Sequence, residues 1–244
     1  MTSAVSDRTA ITMLVWLKPE GQHALARFRE QAAPLWQRYD VRVERVLTGA
    51  SKGQLVGTND YEVPEIMQVI SVPSMASFQQ YVADPEYQRL AAERDAGIAR
   101  MVAVIGAPLD VSAFHPESSS ETSARLYGLA FVRFLAGGAE GMLEFNRRAK
   151  GLFERHGMHI ESMIDVAKTV TPVGSPLASF APERVLVFFL DDPSAMKGYA
   201  ADPEYKDLAP MRDRGLDRYD FFVGKVPQAP GTTARDPSAP GAGN

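Results

Sequence analysis

The amino-acid sequence predicts an α+β fold made of two consecutive units, each with the element order βαββαβ. The stretch 84–98, DPEYQRLAAERDAGI, returns as 202–216, DPEYKDLAPMRDRGL, with nine of fifteen positions identical. Before each copy of this stretch, apolar or alternating runs of strand length are separated by segments with helical spacing of apolar residues. The 244-residue chain is therefore predicted to be a tandem repeat with about a hundred residues in each unit.

The first unit is predicted to span residues 10–107. Its first strand is the apolar run 10–17 (AITMLVWL), which a Lys-Pro-Glu-Gly turn ends. Apolar residues at helical spacing over 22–39 predict a helix, and period-two alternation over 41–48 predicts a second strand. The remaining predicted elements, in chain order, are a glycine-rich loop over 49–59, a strand over 65–72, a short helix over 74–83, the repeated helix and a strand over 100–107.

The repeated helix has recognisable signals at both ends in both copies. Asp84 is placed to cap the first turn, Pro85 occupies the first helical position, and Gly97 is placed for a left-handed end. The two helices are therefore predicted to begin and end at equivalent positions. The second copy repeats these residues as Asp202, Pro203 and Gly215.

A tyrosine and an arginine lie on the apolar face of the repeated helix. Tyr87 and Arg94 share one face because side chains three, four and seven positions apart stack along a helix. This pair either anchors the helix at the edge of a core or contacts a ligand. Asp95 follows at the negative end of the helix dipole and is predicted to pair with an arginine of the other unit. The second copy has Tyr205, Arg212 and Asp213 at these positions.

The first helices of the two units align, and each carries a helix breaker at the same place. Pro34 stands in the first unit where Gly151 stands in the second. Both residues weaken or kink a helix. A kink at this place either opens space between helix and sheet or lets the helix follow a twisted sheet.

A polar, serine-rich stretch over 108–124 is predicted to be the linker between the units. The second unit is predicted to span 125–226, and its first three strands and first helix align with those of the first unit. Its strands are predicted over 126–135, 158–165, 184–190 and 218–226, and its first helix over 140–156. The tail 227–244 is too rich in Pro, Gly and Ala to pack and is predicted to be disordered.

Composition excludes several classes of function. The formal net charge of −4 and the absence of a Lys/Arg cluster argue against nucleic acid or an anionic membrane surface as a partner. Without cysteine, the chain has no disulfide, thiolate metal ligand or cysteine nucleophile. No apolar run approaches the roughly 20 residues that span a bilayer, and the first ten residues have no signal-peptide pattern, so a cytoplasmic protein is expected.

The element order and the Asp-Pro-Glu-Tyr helix resemble the dimeric α+β barrel superfamily, most closely an uncharacterised branch that carries this helix. The resemblance covers residues 11–107 and 126–226. It implies two ferredoxin-like units that pack their sheets into one barrel, here within one chain as an intramolecular pseudo-dimer, while a further homodimer stays open. Members of the superfamily include cofactor-free antibiotic-biosynthesis monooxygenases, polyketide cyclases, muconolactone isomerases and haem-binding enzymes.

Three polar residues in the second unit are candidates for catalysis. Arg133 interrupts an apolar strand where the first unit has Trp16, so the two units are not equivalent at this position. His159 and Glu161 share one face of a strand, and an imidazole beside a carboxylate is suited to be a general base. A solvated sheet edge or an ion pair across the barrel seam is the alternative. The sequence thus predicts one working pocket in the second unit.

A second group of residues is predicted to bind substrate. Its aromatic members have amphipathic side chains near predicted helix and loop edges, where a flat apolar ligand can stack and form hydrogen bonds. His156 ends the first helix of the second unit, where either ligand binding or interaction with the helix dipole suits a cation. The full set is Trp36, Tyr81, Tyr199, Arg94, Arg212 and His156.

The resemblance and these residues together predict a cofactor-independent enzyme of specialised metabolism. It is expected to act as a monooxygenase or a cyclase/isomerase on a small, apolar, aromatic or polyketide-like molecule. The alternative is a non-catalytic small-molecule binding or stress-response protein. Neither a metal nor a cofactor is predicted, because the four histidines have no metal-ligand spacing; they are His23, His115, His156 and His159.

Overall fold

A computed structural model describes residues 8–57, 61–112 and 125–227. The first half contains β1 (Thr9–Leu17), α1 (Gly21–Arg38), β2 (Arg42–Val56), β3 (Ile66–Val72), α2 (Met75–Ala83), α3 (Pro85–Ala96) and β4 (Ile98–Leu109). The second half contains β5 (Leu126–Phe134), α4 (Gly138–Arg148), α5 (Lys150–Arg155), β6 (Met158–Val173), β7 (Arg184–Leu190), α6 (Ala195–Ala201), α7 (Pro203–Asp213) and β8 (Leu216–Lys225). No helix in these three ranges is long and apolar enough to cross a membrane.

All eight strands form one closed antiparallel barrel in the order β1-β3-β2-β8-β5-β7-β6-β4. The strands of each half stay together, and β2 pairs with β8 while β4 pairs with β6 at the two seams between halves. Closure gives every strand two neighbours, so no sheet edge is left unpaired. The fold is therefore an α+β barrel whose sheet is shared by both halves.

The prediction of a loop over 49–59 is wrong, because much of this stretch forms the seam between β2 and β8. Strand β2 continues to Val56, and its second part pairs with β8, with Ser51 opposite Val223 and Gly53 opposite Phe221. A Cβ at Gly53 would lie 2.1 Å from the Phe221 ring, so this glycine makes room for an aromatic residue of the other half. Strand β6 is longer than predicted in the same way, since it continues to Val173 along β4.

The predicted linker also begins later than expected. Pro108 and Leu109 still belong to β4 and pair with Ile164 and Met163 of β6. Residues 113–124 of the predicted linker and 228–244 of the predicted tail lie outside the described residues.

Three clusters of apolar side chains hold the barrel together. Inward-facing residues from all eight strands fill the barrel interior, among them Leu14, Met67, Leu129, Phe131 and Phe222. The helices cover the outer face of the sheet, with one helix-to-sheet cluster in each half. Because side chains alternate along a strand, each strand gives one set of residues to the interior and the other to its helix layer.

The predicted caps of the repeated helix are confirmed at its beginning. The Asp84 carboxylate accepts the Glu86 N–H at 2.8 Å, and Asp202 accepts the Glu204 N–H at 2.9 Å. Both prolines occupy the first turn of their helix. These side chains therefore satisfy N–H groups that the helix itself leaves free.

The prediction of a left-handed glycine at the end of this helix is wrong. Gly97 has φ −89° and ψ −4°, which any residue can adopt. Gly97 is needed for another reason, because a Cβ there would lie 2.7 Å from the Ala24 Cβ and 2.8 Å from the Gly21 oxygen. On the facing side, a Cβ on Gly21 would lie 1.9 Å from the Gly97 carbonyl oxygen. The second half repeats the contact, with a Gly138 Cβ placed 1.8 Å from the Gly215 oxygen. Glycine pairs thus let the first helix of each half begin against the end of the repeated helix.

The two helix breakers act differently. Helix α1 continues through Pro34 over its full length, whereas the second half is divided into α4 and α5 at Ala149, two residues before Gly151. Glycine has a low helix propensity, and the break lies two residues before it. The Ala149 N–H still donates to the Phe145 oxygen at 2.8 Å, so α4 and α5 remain joined by helical hydrogen bonds. The halves therefore differ in the helix that covers the sheet.

Candidate ligand cavities between helices and sheet

Each half encloses a cavity between its helices and the outer face of the sheet. The first-half cavity has a volume of about 360 Å³ and is bordered by α1, α2, α3 and strands β1, β3 and β4, with the end of β6 from the second half. The second-half cavity is smaller, at about 160 Å³, and its wall is mostly apolar. The predicted binding residues divide between them, with Trp36, Tyr81 and Arg94 in the first and Tyr199 and Arg212 in the second.

The arginine of the repeated helix is held by its own helix. Arg94 is 7% exposed, donates to the Tyr87 hydroxyl at 2.9 Å and to the Asp95 carboxylate at 2.7 Å. Its guanidinium also lies 5.1 Å from the centre of the Phe28 ring. The prediction that Asp95 pairs with the other unit is therefore wrong. The carboxylate instead neutralises the adjacent cation, which offsets the cost of burying it.

The second copy repeats this arrangement. Arg212 donates to Tyr205 at 3.1 Å and to Asp213 at 2.7 Å, and its guanidinium lies 5.3 Å from the centre of the Phe145 ring. The same three-residue arrangement occurs in both cavities, although the two cavities differ in size and lining. It therefore does not determine what either cavity binds. The Tyr-Arg-Asp group therefore supports the anchoring alternative, with the arginine forming part of the cavity wall.

A hydrogen-bonded aromatic pair occupies one side of the first cavity. The Trp36 indole N–H donates to the Tyr81 hydroxyl at 3.0 Å. Tyr81 is 4% exposed, and burial raises the pKa of its hydroxyl, so the hydroxyl keeps its proton. Since Tyr81 accepts from Trp36 and has no acceptor among the described residues, its own O–H is available to a ligand.

Two further polar residues of this cavity were missed by the sequence analysis. Gln68 lies on β3 among apolar residues, and because Met67 and Val69 face the barrel interior, Gln68 faces the helices. Arg29 lies on α1 next to Phe28. The Arg29 Nη2 atom is shielded from solvent and has no hydrogen-bond partner within the described ranges. The signal for Gln68 was a polar residue within the apolar run IMQVISV. Arg29 gave no such signal, because α1 carries many charged residues.

The second cavity replaces most of these polar groups. Alignment of the first helices puts Asn146 at the position of Arg29 and Phe153 at that of Trp36. Strand register puts Leu186 at the position of Gln68, since the two pair with equivalent residues of β5 and β1. Tyr199 matches Tyr81, and burial again raises the pKa of its hydroxyl. The halves thus offer one cavity with several donors and one that is nearly apolar.

The three predicted catalytic residues do not share a cavity. His159 borders the second cavity, but its Nε2 lies 3.0 Å from Asp191 and its ring stacks on Phe189. Glu161 forms an ion pair with Arg45, on a strand across the barrel. The alternative predicted from the sequence was an ion pair across the barrel seam; this pair instead spans the barrel, since β2 and β6 do not meet at a seam.

Arg133 lies at the other end of the barrel. It pairs with Asp217 and donates to the Ser179 carbonyl oxygen at 3.1 Å. His159 lies opposite Phe189, and Phe189 lies opposite Tyr127, six residues before Arg133 on β5. At about 3.3 Å per residue this separation is about 20 Å. Arg133 therefore cannot act on a substrate beside His159.

His156 connects two helices and does not border either helix-to-sheet cavity. Its Nε2 lies 2.8 Å from the Asp202 carboxylate that caps α7. In the first half the Tyr39 hydroxyl donates to Asp84 at the same distance, 2.8 Å. His156 thus holds the end of α5 to the start of α7.

Metal ligands do not gather in the part of the chain that the structure describes. No group of three or more His, Asp or Glu side chains is arranged to hold a metal ion there. The polar residues of the first cavity are hydrogen-bond donors, and such groups suit an organic ligand with an acceptor oxygen.

The closed sheet and its helix-covered cavities define an eight-stranded antiparallel α+β barrel. Residues 13–107 match the model of a family described as a domain of unknown function, DUF1330. This match covers most of the first half. No curated protein matches the sequence.

Solved structures share the fold over nearly the whole chain. An anthrone oxidase-like protein has a TM-score of 0.56 and 11% identity, covering 91% of this chain and 91% of its own. A mutant chlorite dismutase from Candidatus Nitrospira defluvii in complex with cyanide has a TM-score of 0.52 and 9% identity, covering 91% and 92%. A candidate monooxygenase from Lactobacillus acidophilus NCFM has a TM-score of 0.50 and 10% identity, covering 89% and 93%. At these identities the likeness concerns the fold.

Proposed function

We propose that the protein is a cofactor-independent enzyme that oxidises a small, flat, aromatic or polyketide-like molecule in the first-half cavity. The cavity, of about 360 Å³ with an apolar wall and several free donors, is the observation that carries the proposal. Its size lies in the range of small-molecule sites. The anthrone oxidase-like protein with the same fold suggests the reaction class.

The residues present suit a reaction through an enolate. Tyr81 and Gln68 can donate hydrogen bonds to a carbonyl oxygen, and such bonds strengthen as that oxygen becomes negative. Among the described residues the wall holds no imidazole, and its carboxylate, Asp95, is paired with Arg94. The substrate must therefore be acidic enough to lose a carbon-bound proton to water.

Anthrone has the required acidity and is a suitable probe. Water takes the carbon-bound proton, and the resulting enolate gives one electron to O₂. The carbon radical and superoxide combine as a peroxide anion, which takes a proton back from water, and loss of water from this hydroperoxide yields the quinone. One anthrone and one O₂ thus give one anthraquinone and one water. The chain's own residues hold the ring system between helices and sheet and stabilise the enolate oxygen.

The test measures oxygen uptake and anthraquinone formation with the purified full-length protein. Replacing Tyr81 by Phe removes one donor, and we expect kcat to fall about tenfold or more. Tyr199→Phe is the matched control in the second cavity and should leave the rate unchanged. No protein-dependent oxygen uptake, or equal effects of both changes, would contradict the proposal.

A second candidate function is ligand binding without turnover. The absence of a free base among the described wall residues favours it. Calorimetric binding of anthrone at the first cavity, sensitive to Trp36→Phe and without oxygen uptake, would support this alternative.

For the molecule as a whole, we propose that the chain is a fused pair of ferredoxin-like units forming an intramolecular pseudo-dimer. The strand order β4-β1-β3-β2 of the first half and its repetition as β8-β5-β7-β6 support this division. We assign the units to the ranges 10–107 and 125–226 predicted from the sequence, and extend the first to Leu109, where β4 ends.

A further inference from the structure

We propose that the ligand of the first-half cavity carries a carboxylate group that pairs with Arg29. This inference rests on the proposed function in one respect, because it takes the first cavity to be the ligand site. It adds the chemical class of the ligand, an aromatic acid in its ionised form.

Arg29 is a half-buried cation without a counterion among the described residues. It projects from α1 into the lining of the first cavity, and its Nη2 is shielded from solvent without a hydrogen-bond partner among the described residues. Burial lowers the pKa of this guanidinium, which shows the cost of keeping a charge there. Arginine nevertheless stays protonated in proteins, so the cavity has a positive charge.

The arginines that are fully buried in the described residues each have a carboxylate partner. Arg184 lies 2.8 Å from Asp165, and Arg125 lies 3.2 Å from Asp191. Arg218 pairs with Asp220. The chain thus neutralises its buried guanidinium groups elsewhere, as the cost of an unpaired buried charge requires. Arg29 differs because the group that would neutralise it is not supplied by the described protein.

The first cavity does not supply that group from its own wall. Asp95 is the carboxylate in the described lining, and Arg94 holds it at 2.7 Å. Gln68 and the Tyr81 hydroxyl add donors without charge. A guanidinium presents two parallel N–H groups that match the two oxygens of a carboxylate, so an aromatic carboxylate satisfies both the charge and the apolar wall.

The second half shows that this charge is not needed for folding. Asn146 stands at the position of Arg29, is 1% exposed and borders the second cavity. The same helix therefore packs on the same kind of sheet with a neutral amide at this place. The difference between the halves concerns what the cavities bind.

The experiment compares two ligands of the same shape with the full-length protein. Calorimetry measures the Kd of 2-naphthoate and of its neutral isostere 2-naphthamide at pH 7. We expect naphthoate to bind about tenfold tighter or more, as charge-assisted hydrogen bonds imply. Arg29→Met should remove this preference, Arg29→Lys should restore part of it, and Asn146→Leu should leave it unchanged as the matched control.

Folding of the variant is checked by thermal unfolding. Because Arg29 has no protein partner among the described residues, Arg29→Met should keep or raise the Tm of the unliganded protein. A large loss of Tm would show a structural partner for Arg29 and overturn the inference.

The outcomes separate the inference from the proposed function. Equal Kd values for the two ligands, or a preference that survives Arg29→Met, would overturn the carboxylate inference and leave a ligand cavity. Binding of neither ligand, together with no anthrone turnover, would overturn both. A preference lost equally in Asn146→Leu would place the carboxylate elsewhere and likewise overturn the inference.

Discussion

The absence of a Cβ atom at paired glycines determines how closely the first helix and the repeated helix of each half approach each other. At Gly21 the missing Cβ leaves room for the Gly97 carbonyl, and the end of the repeated helix contacts the start of α1 there. Backbone offers no soft atoms that can move aside, so even a methyl group forces the two helices apart. The same contact recurs between Gly138 and Gly215.

Gly21→Ala is therefore expected to destabilise the protein by about 2 kcal/mol or more, as overpacked interiors do. The measurement is the urea midpoint of unfolding, at constant m. Gly151→Ala is the matched control, because no atom lies within 4 Å of a Cβ built there. That change should be neutral or stabilise by up to about 1 kcal/mol through helix propensity. Similar losses in both variants would disprove the contact argument.

At the residue scale, sequence reasoning found side chains and missed their partners. Tyr87 and Arg94 were placed on one helix face, and Asp84 at its cap, because helical spacing determines both. Arg29 could not be found in this way, because α1 shows many charged residues and only the fold reveals which one faces a cavity. The distance between Arg133 and His159 likewise depends on strand register, and the register is known only once the pairing of the strands is known.

Among the elements, the repeated helices depend on their aspartate caps. The pKa of Asp84 is lowered by the Tyr39 hydroxyl and by helix N–H groups, and that of Asp202 by His156 and by the Glu204 N–H. A carboxyl with a lowered folded pKa stabilises the fold above its unfolded pKa of about 4. This contribution is lost as the pH falls through the lowered value.

The double variant Asp84→Asn and Asp202→Asn tests this dependence. Asparagine caps helices about as well as aspartate but does not titrate. We expect the difference in unfolding midpoint between wild type and variant to shrink from pH 7 to pH 3, as measured with urea. Other carboxylates titrate in both proteins and cancel in the comparison. A difference independent of pH would refute the role of the two ionised caps.

Element positions were largely predictable, whereas element lengths were not. Apolar runs and capping signals located β1, β3 and the repeated helices, because these depend on neighbours in the same unit. The second part of β2 carries glycine, serine and lysine and predicts a loop, while the second part of β6 carries lysine, threonine and proline and predicts no element. Their pairing partners lie in the other half, and local sequence carries no signal for such distant pairing.

The whole molecule depends on two seams. Strands β2 and β4 of the first half each give one edge to the second half, and closure leaves both paired. Separating the halves exposes two strands with free N–H and C=O groups beside an apolar inner face. Neither half is expected to stay alone in solution.

Residues 8–112 expressed alone are therefore expected to form a homodimer that closes the barrel with a second copy. Light scattering after size-exclusion chromatography measures the mass. Ser51→Pro in the same fragment removes an N–H at the seam and should raise its dissociation constant at least tenfold. A folded monomer at micromolar concentration would contradict the expectation.

The fusion of two halves into one chain has a consequence for how the cavities change over generations. In a dimer of identical chains, one mutation alters both cavities together. Here the codons for Arg29 and Asn146 are separate, so a mutation reaches one cavity while the other is inherited unchanged. The paired glycines at 21 and 97, and again at 138 and 215, keep the same scaffold in both halves. Two cavities encoded separately in one chain thus allow one cavity to change its ligand preference while the other keeps its own.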